Sequence, residues 1–140
     1  MMIDFASAKP KQIGKTDISL RGAEAIVLAL RAVQMAAAMD GALSLSIDHV
    51  SSREQFGRPL SKFQAIQHQL AMAASEVAAA AMAASQACAA LNADPNAAWH
   101  EAVIAKVQIA ASIESATAAF QQVHGAIGYT MEYDLSLIHI

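Results

Sequence analysis

The stretch Arg53-Glu54-Gln55-Phe56-Gly57-Arg58-Pro59-Leu60-Ser61-Lys62-Phe63-Gln64 separates two long alanine-rich runs and limits what either can become. Alanine is the best helix former, and both runs lack proline, so each can stay helical until it meets this block. Phe56-Gly57 offers a sharp bend, because glycine accepts backbone angles that other residues avoid. Pro59 keeps Arg58 out of helix and suits a position near a helix start. Ser61-x-x-Gln64 reads as a capping box for the helix that follows. The corner presents Arg53 and Arg58 beside a helix N-terminus, a donor set that fits phosphate oxygens. The same arginines would serve equally as the solvated side chains of an ordinary helix–helix corner.

Periodicity extends the helical reading to most of the chain. A first helix is expected over residues 19–51, with Asp17 or Ser19 as its cap. Ile26, Leu30, Val33 and Ala37 mark one apolar stripe, and Leu28, Met35, Met39 and Ala42 a second, which implies burial on more than one side. Gly41 costs about 1 kcal/mol against alanine unless it permits close packing. A second helix, 62–92, carries Phe63, Ile66, Leu70, Ala73, Val77, Ala84, Cys88 and Leu91 at bundle spacing, with His68 on its solvated side. Asp94-Pro95 caps a third helix over 95–123, with Ile109, Ile113, Ala116, Phe120 and Val123 as its stripe. Trp99 reads as a packing anchor, and Gly125 as a helix stop. No strand is expected beyond Ile3-Asp4-Phe5. The fold class is all-α: an antiparallel, up-down bundle of three long helices with one apolar side left open.

At 140 residues and 56% apolar with 5% aromatic, the core must come from Ala, Leu, Ile, Val and Met. A formal charge of −3 argues against a nucleic-acid surface. The histidines are scattered without metal-ligand spacing, so no metal is expected. Cys88 is the one cysteine, reads as a small apolar residue and fits a reducing compartment. No targeting segment is visible, which suggests a cytoplasmic protein. The apolar run 71–91 is interrupted by Ser75, Glu76, Ser85 and Gln86, so no membrane span is expected.

Two blocks carry a resemblance. Residues 53–64, in the pattern Arg-x-Gln-Phe-Gly-x-Pro-x-x-x-Phe-Gln, and Gln122-Val123-His124-Gly125-Ala126-Ile127-Gly128-Tyr129 resemble the C-terminal helical domain of the acyl-CoA dehydrogenase family. That resemblance spans about residues 17–134. It implies a part of a four-helix bundle whose closing helices lie beyond this chain, with residues 1–16 as the tail of a preceding β-domain or linker. It also implies FAD as cofactor, acyl-CoA as substrate, electron-transfer flavoprotein as electron acceptor, and a homo- or hetero-oligomer formed through the helical domain. Such enzymes take a hydride from the β-carbon of an acyl-CoA thioester while a carboxylate removes the α-proton; the flavin carries the electron chemistry.

Carried over by position, Arg53 would pair with the FAD diphosphate of a neighbouring subunit. Gln55 and Phe56 would contact the nucleotide, Phe63 and Ile66 would line its adenosine side, and Gln122 with the backbone at Gly125 and Ala126 would close the site. Relatives often carry a second glycine where Ala126 stands, and a tyrosine where His49 stands. Arg58 occupies a variable position. The family's base is usually a glutamate beyond residue 140, or lies at a first-helix position that Val27 occupies here. Glu24, one turn earlier, could reach the same face, where Arg21 or Arg31 are its ordinary ion-pair partners. No catalytic residue is therefore expected within the chain, and as it stands it should be inactive.

Residues 135–140, Leu-Ser-Leu-Ile-His-Ile, resemble the translation of a mosaic-end adapter used in sequencing libraries. They are expected to be a non-native tail, with the natural sequence diverging after Asp134. Three functions remain open at this point: part of an FAD-dependent acyl-CoA dehydrogenase, a non-catalytic subunit of a heteromeric one, or a helical interaction module without cofactor.

Overall fold

The computed structural model describes residues 14–125, and three long helices account for most of them. Helix α1 spans Leu20–Ser52, α2 Gln64–Ala93 and α3 Trp99–His124. Ser19 caps α1, its hydroxyl accepting the Gly22 N–H at 3.0 Å. Gly125 ends α3 at φ 63°, donating its N–H to the Gln121 carbonyl as a glycine stop does.

The corner differs from expectation in two ways. Glu54–Gln55 (β1) and Arg58–Pro59 (β2) pair antiparallel as a minimal hairpin, where no strand is expected from sequence. Its loop residues Phe56 and Gly57 both have positive φ, 53° and 79°, the backbone of a type I′ turn. Leu60–Lys62 then forms a 3-10 turn, and α2 begins behind Phe63 without a side-chain cap. The capping box at Ser61 does not form: the Gln67 side-chain amide donates instead to the Ser61 carbonyl at 2.8 Å. The third helix also starts later than expected. Asp94 ends α2, and its carboxylate accepts the Asn96 N–H at 2.9 Å in the turn before Trp99.

The seam is made of alanine. Ala25, Ala29, Ala32 and Ala36 of α1 meet Ala73, Val77, Ala80, Ala84 and Ala87 of α2 and Ala102, Ala105, Ile109, Ala116 and Phe120 of α3. These positions recur every three or four residues, the period of a helical seam. Small side chains let helix backbones approach, which is why the buried stripe is not the one with the largest residues. Leu30 and Val33, read as one stripe of α1, are exposed, as are Leu20, Val27, Ile104 and Val107. The core cluster gathers Met39 and Ala42 fully, and Leu28 and Met35 in part. Trp99 packs at the margin with Arg21 over its ring, 5.4 Å from the centroid. Each helix is long enough and apolar enough in composition to cross a membrane.

Candidate functional site

The backbone of Arg53 is held on both sides. Its N–H donates to His49 and its carbonyl accepts from Leu60, each at 2.9 Å. That anchoring sets the guanidinium at the end of α1, beside the end of α3. Between them lies an open cavity of about 390 Å³, lined by His49, Arg53, Gln55, Leu60, Ile66, Gln122, Val123, His124 and Gly125. Five of the eight residues expected from the two sequence blocks meet here: Arg53, Gln55, Ile66, Gln122 and Gly125.

The other three are placed differently. Phe56 is 90% exposed at the hairpin tip and meets Phe63 edge-on, with ring centroids 6.2 Å apart. Phe63 is half-buried, does not line the cavity, and carries the Arg58 guanidinium 4.1 Å above its ring. Arg58 is thus engaged away from Arg53 by a cation–π contact. Ala126 lies outside the described residues. Gly125 joins the wall, but its N–H is committed to Gln121, so it offers room rather than a donor.

Two titratable lining residues stand outside the set expected from sequence. His124 is 5% exposed, with Nδ1 2.8 Å from the Phe120 carbonyl. A carbonyl only accepts, so Nδ1 carries the hydrogen. His49 stacks on it, with centroids 4.5 Å apart and planes 25° from parallel. Burial first, then the neighbouring His124 and Arg53, hold His49 below the ordinary histidine pKa of 6.5. The spacing from His49 to Arg53 is one helical turn and could have shown that they share a face; the stack with His124 has no local sequence signal.

Glu24 is far from this site. It sits near the start of α1, roughly 37 Å along the helix axis from His49 at about 1.5 Å per residue. There it lines a separate, largely apolar groove with Leu20, Ala23, Val27, Leu28 and Trp99. Arg21 lies over Trp99 and Arg31 donates to Gln34 at 3.1 Å, rather than either bonding Glu24. Among the described residues no carboxylate lines the cavity, and no histidine, cysteine and carboxylate cluster has the makings of a metal site.

The arginine, amide and imidazole groups at this end of the bundle offer hydrogen-bond donors that suit an anion. The family model for "Acyl-CoA dehydrogenase, C-terminal domain" matches residues 28–140. The chain belongs to the acyl-CoA dehydrogenase family. It is 35% identical over 115 residues to the acyl-CoA dehydrogenase IpdE2 of Mycobacterium tuberculosis, covering 82% of this chain and 34% of that protein. It is 34% identical over 95 residues to the 3-sulfinopropanoyl-CoA desulfinase of Paraburkholderia xenovorans, covering 68% and 24%. Among solved structures it resembles a G363A variant of the Tcur3481-Tcur3483 steroid ACAD. That match has a TM-score of 0.78 and 29% identity, over 85% of this chain and 33% of the other. The chain therefore spans about a third or less of the length of the relatives it matches.

Proposed function

We propose that this chain is the helical domain of an FAD-dependent acyl-CoA dehydrogenase, and that the cavity at the Arg53 corner takes the diphosphate region of FAD. The observation that supports this reading is the cavity itself, which joins the hairpin corner to the end of α3 and gathers residues from both sequence blocks. The groups present fit a diphosphate. Arg53 supplies a planar fork of donors that stays charged, and Gln55 and Gln122 supply amide donors. The volume of about 390 Å³ is at the small end of ligand pockets, which run roughly 300–1,000 Å³, so it suits part of a dinucleotide. Phe56, exposed and at positive φ, fits a contact made with another subunit, because local backbone strain tends to gather at functional sites.

FAD would supply the hydride acceptor for α,β-dehydrogenation; these residues would bind and orient it. The α-proton would go to a carboxylate outside the cavity. The names of the relatives share CoA thioesters, which supports an acyl-CoA substrate. Electron-transfer flavoprotein as acceptor, a homo- or hetero-oligomer and a cytoplasmic setting complete the reading. Arg31, Asp40 and Glu114, exposed along the helices, favour a bundle in water over a bilayer.

The test uses the longer protein that carries this domain. Arg53→Ala should weaken FAD binding roughly 10- to 150-fold, the loss of a charge-assisted contact worth about 1.5–3 kcal/mol. Arg53→Lys should recover only part, and Arg58→Ala should matter less because that guanidinium is engaged with Phe63. Dissociation is followed by flavin fluorescence. Unchanged affinity in Arg53→Ala, with assembly intact, would overturn the cofactor assignment. Loss of FAD only together with loss of assembly would make Arg53 an interface residue.

A further inference from the structure

We propose that Gln67 is a positioning residue for Arg53: its side-chain amide ties the turn before α2 to that helix, and the tied turn holds the backbone from which Arg53 reaches the cavity. The inference rests on the reading that Arg53 meets the FAD diphosphate, and adds to it a residue that lies outside the cavity wall.

No residue from 53 to 63 is buried, so packing alone does not fix this corner. Hydrogen bonds hold it instead. Arg53 is pinned through its carbonyl, which accepts the Leu60 N–H at 2.9 Å. Leu60 opens the 3-10 turn, and its own carbonyl accepts the Phe63 N–H at 3.1 Å. Gln67 closes this chain of bonds from the α2 side. Its backbone N–H donates to the Phe63 carbonyl at 3.0 Å, and its Nε2 reaches back six residues to the Ser61 carbonyl at 2.8 Å. A carbonyl only accepts, so the amide nitrogen is the atom that faces Ser61.

The backbone bond to Phe63 belongs to the first turn of α2, and any residue but proline at position 67 would make it. The side-chain bond to Ser61 needs a donor of this length at this position. Phe63 gives α2 no side-chain cap, and the Gln67 amide couples the helix to the middle of the turn in its place. Leu60 and Ile66, on either side of this tie, line the cavity with Arg53, whereas Gln67 does not.

Replacing Gln67 therefore takes no group from the cavity wall. It takes away order that is present before binding. A corner that is loose in the free protein must be ordered as the ligand arrives, and affinity drops in proportion to the fraction of molecules already in the competent arrangement. The tie is exposed to water and is one neutral hydrogen bond, so its removal weakens binding by a modest factor and does not abolish it.

The test uses the longer protein that carries this domain, as wild type, Gln67→Met, Arg53→Ala and the double variant. Methionine keeps the length and helix propensity of glutamine and removes the donor. Without flavin, the Leu60 amide should exchange its hydrogen roughly 3- to 10-fold faster in Gln67→Met, while amides along the buried seam keep their rates. FAD affinity, read by flavin fluorescence, should fall roughly 3- to 10-fold in Gln67→Met. In the Arg53→Ala background the same substitution should change affinity by less than about twofold, because the tie then has no guanidinium to position.

Unchanged Leu60 exchange in Gln67→Met would overturn the inference, and so would exchange that quickens equally along the seam, since that marks a loss of the whole fold. A loss of FAD affinity of equal size in both backgrounds would overturn the route through Arg53. These failures are distinct from failure of the underlying reading. If Arg53→Ala weakens FAD while Gln67→Met leaves it unaltered, only the role of Gln67 falls. If Arg53→Ala binds FAD normally, the diphosphate assignment falls, and the role of Gln67 in nucleotide binding with it.

Discussion

Stacking His49 on His124 has a consequence for stability even without ligand. The pKa of His49 lies below its ordinary value of 6.5, because burial and its neighbours oppose the charge. The unfolded chain therefore binds more protons than the folded one in the acid range, and stability rises with pH there. The contribution of His49 is complete above about pH 6.5 and is lost as the pH falls toward the folded-state value. Replacing His49 by Gln removes this titration. Urea unfolding of wild type and His49→Gln at about pH 7.5 and about pH 5.5, on either side of the ordinary histidine range, should show a smaller acid penalty in the variant. An identical penalty in both would place the acid sensitivity elsewhere.

At the scale of elements, the start of α1 is tied to the turn between α2 and α3 by one side chain. Asn96 accepts the Ser19 N–H at 2.7 Å and donates to the Asp17 carbonyl at 3.1 Å. Gly22 makes the approach possible: a Cβ there would stand 2.6 Å from Asn96 Oδ1 and 3.2 Å from the Pro95 carbonyl. Gly41, in the same helix, faces open space, with nothing within 4 Å of an added Cβ. The two glycines should respond with opposite sign. Gly41→Ala gains about 0.5–1 kcal/mol of helix propensity. Gly22→Ala gains the same propensity but must displace Asn96, for a net loss of about 1–2 kcal/mol. Chemical denaturation of both variants reads the difference, and a Gly22→Ala protein as stable as Gly41→Ala would mean that the Asn96 clamp yields freely.

On the scale of the whole molecule, alanine makes most of the buried seam, with Ile109 and Phe120 its largest members, while several other large apolar side chains stay exposed. Val27 and Leu30 are each 58% exposed, and Ile104 and Val107 of α3 are similarly open. Large apolar side chains left this open suit surfaces that a partner covers. The isolated chain should therefore self-associate or bind an apolar dye such as ANS, and Val27→Lys with Leu30→Glu should reduce both. Light scattering coupled to size exclusion, with dye fluorescence, checks this. A sharp monomeric melting transition without dye binding would show that these faces need no cover.

Local chemistry was enough to read three helices in order, a first cap at Asp17 or Ser19 (the structure uses Ser19), the glycine stop at Gly125 and the Phe56-Gly57 bend, because each depends on propensities within a few residues. The two sequence blocks, by resemblance, also pointed to most of the cavity wall. Packing decided the rest. Apolar periodicity favours the largest side chains, so it ranked Leu30 and Val33 above the alanines that form the seam; how closely two helices approach is a property of the pair. The hairpin at Glu54–Pro59 is too short to show an alternating pattern, and the Ser61 capping box lost to a 3-10 turn that only the corner's geometry selects. His49 and His124 become one site because α1 and α3 end side by side, a juxtaposition that no spacing within the chain encodes.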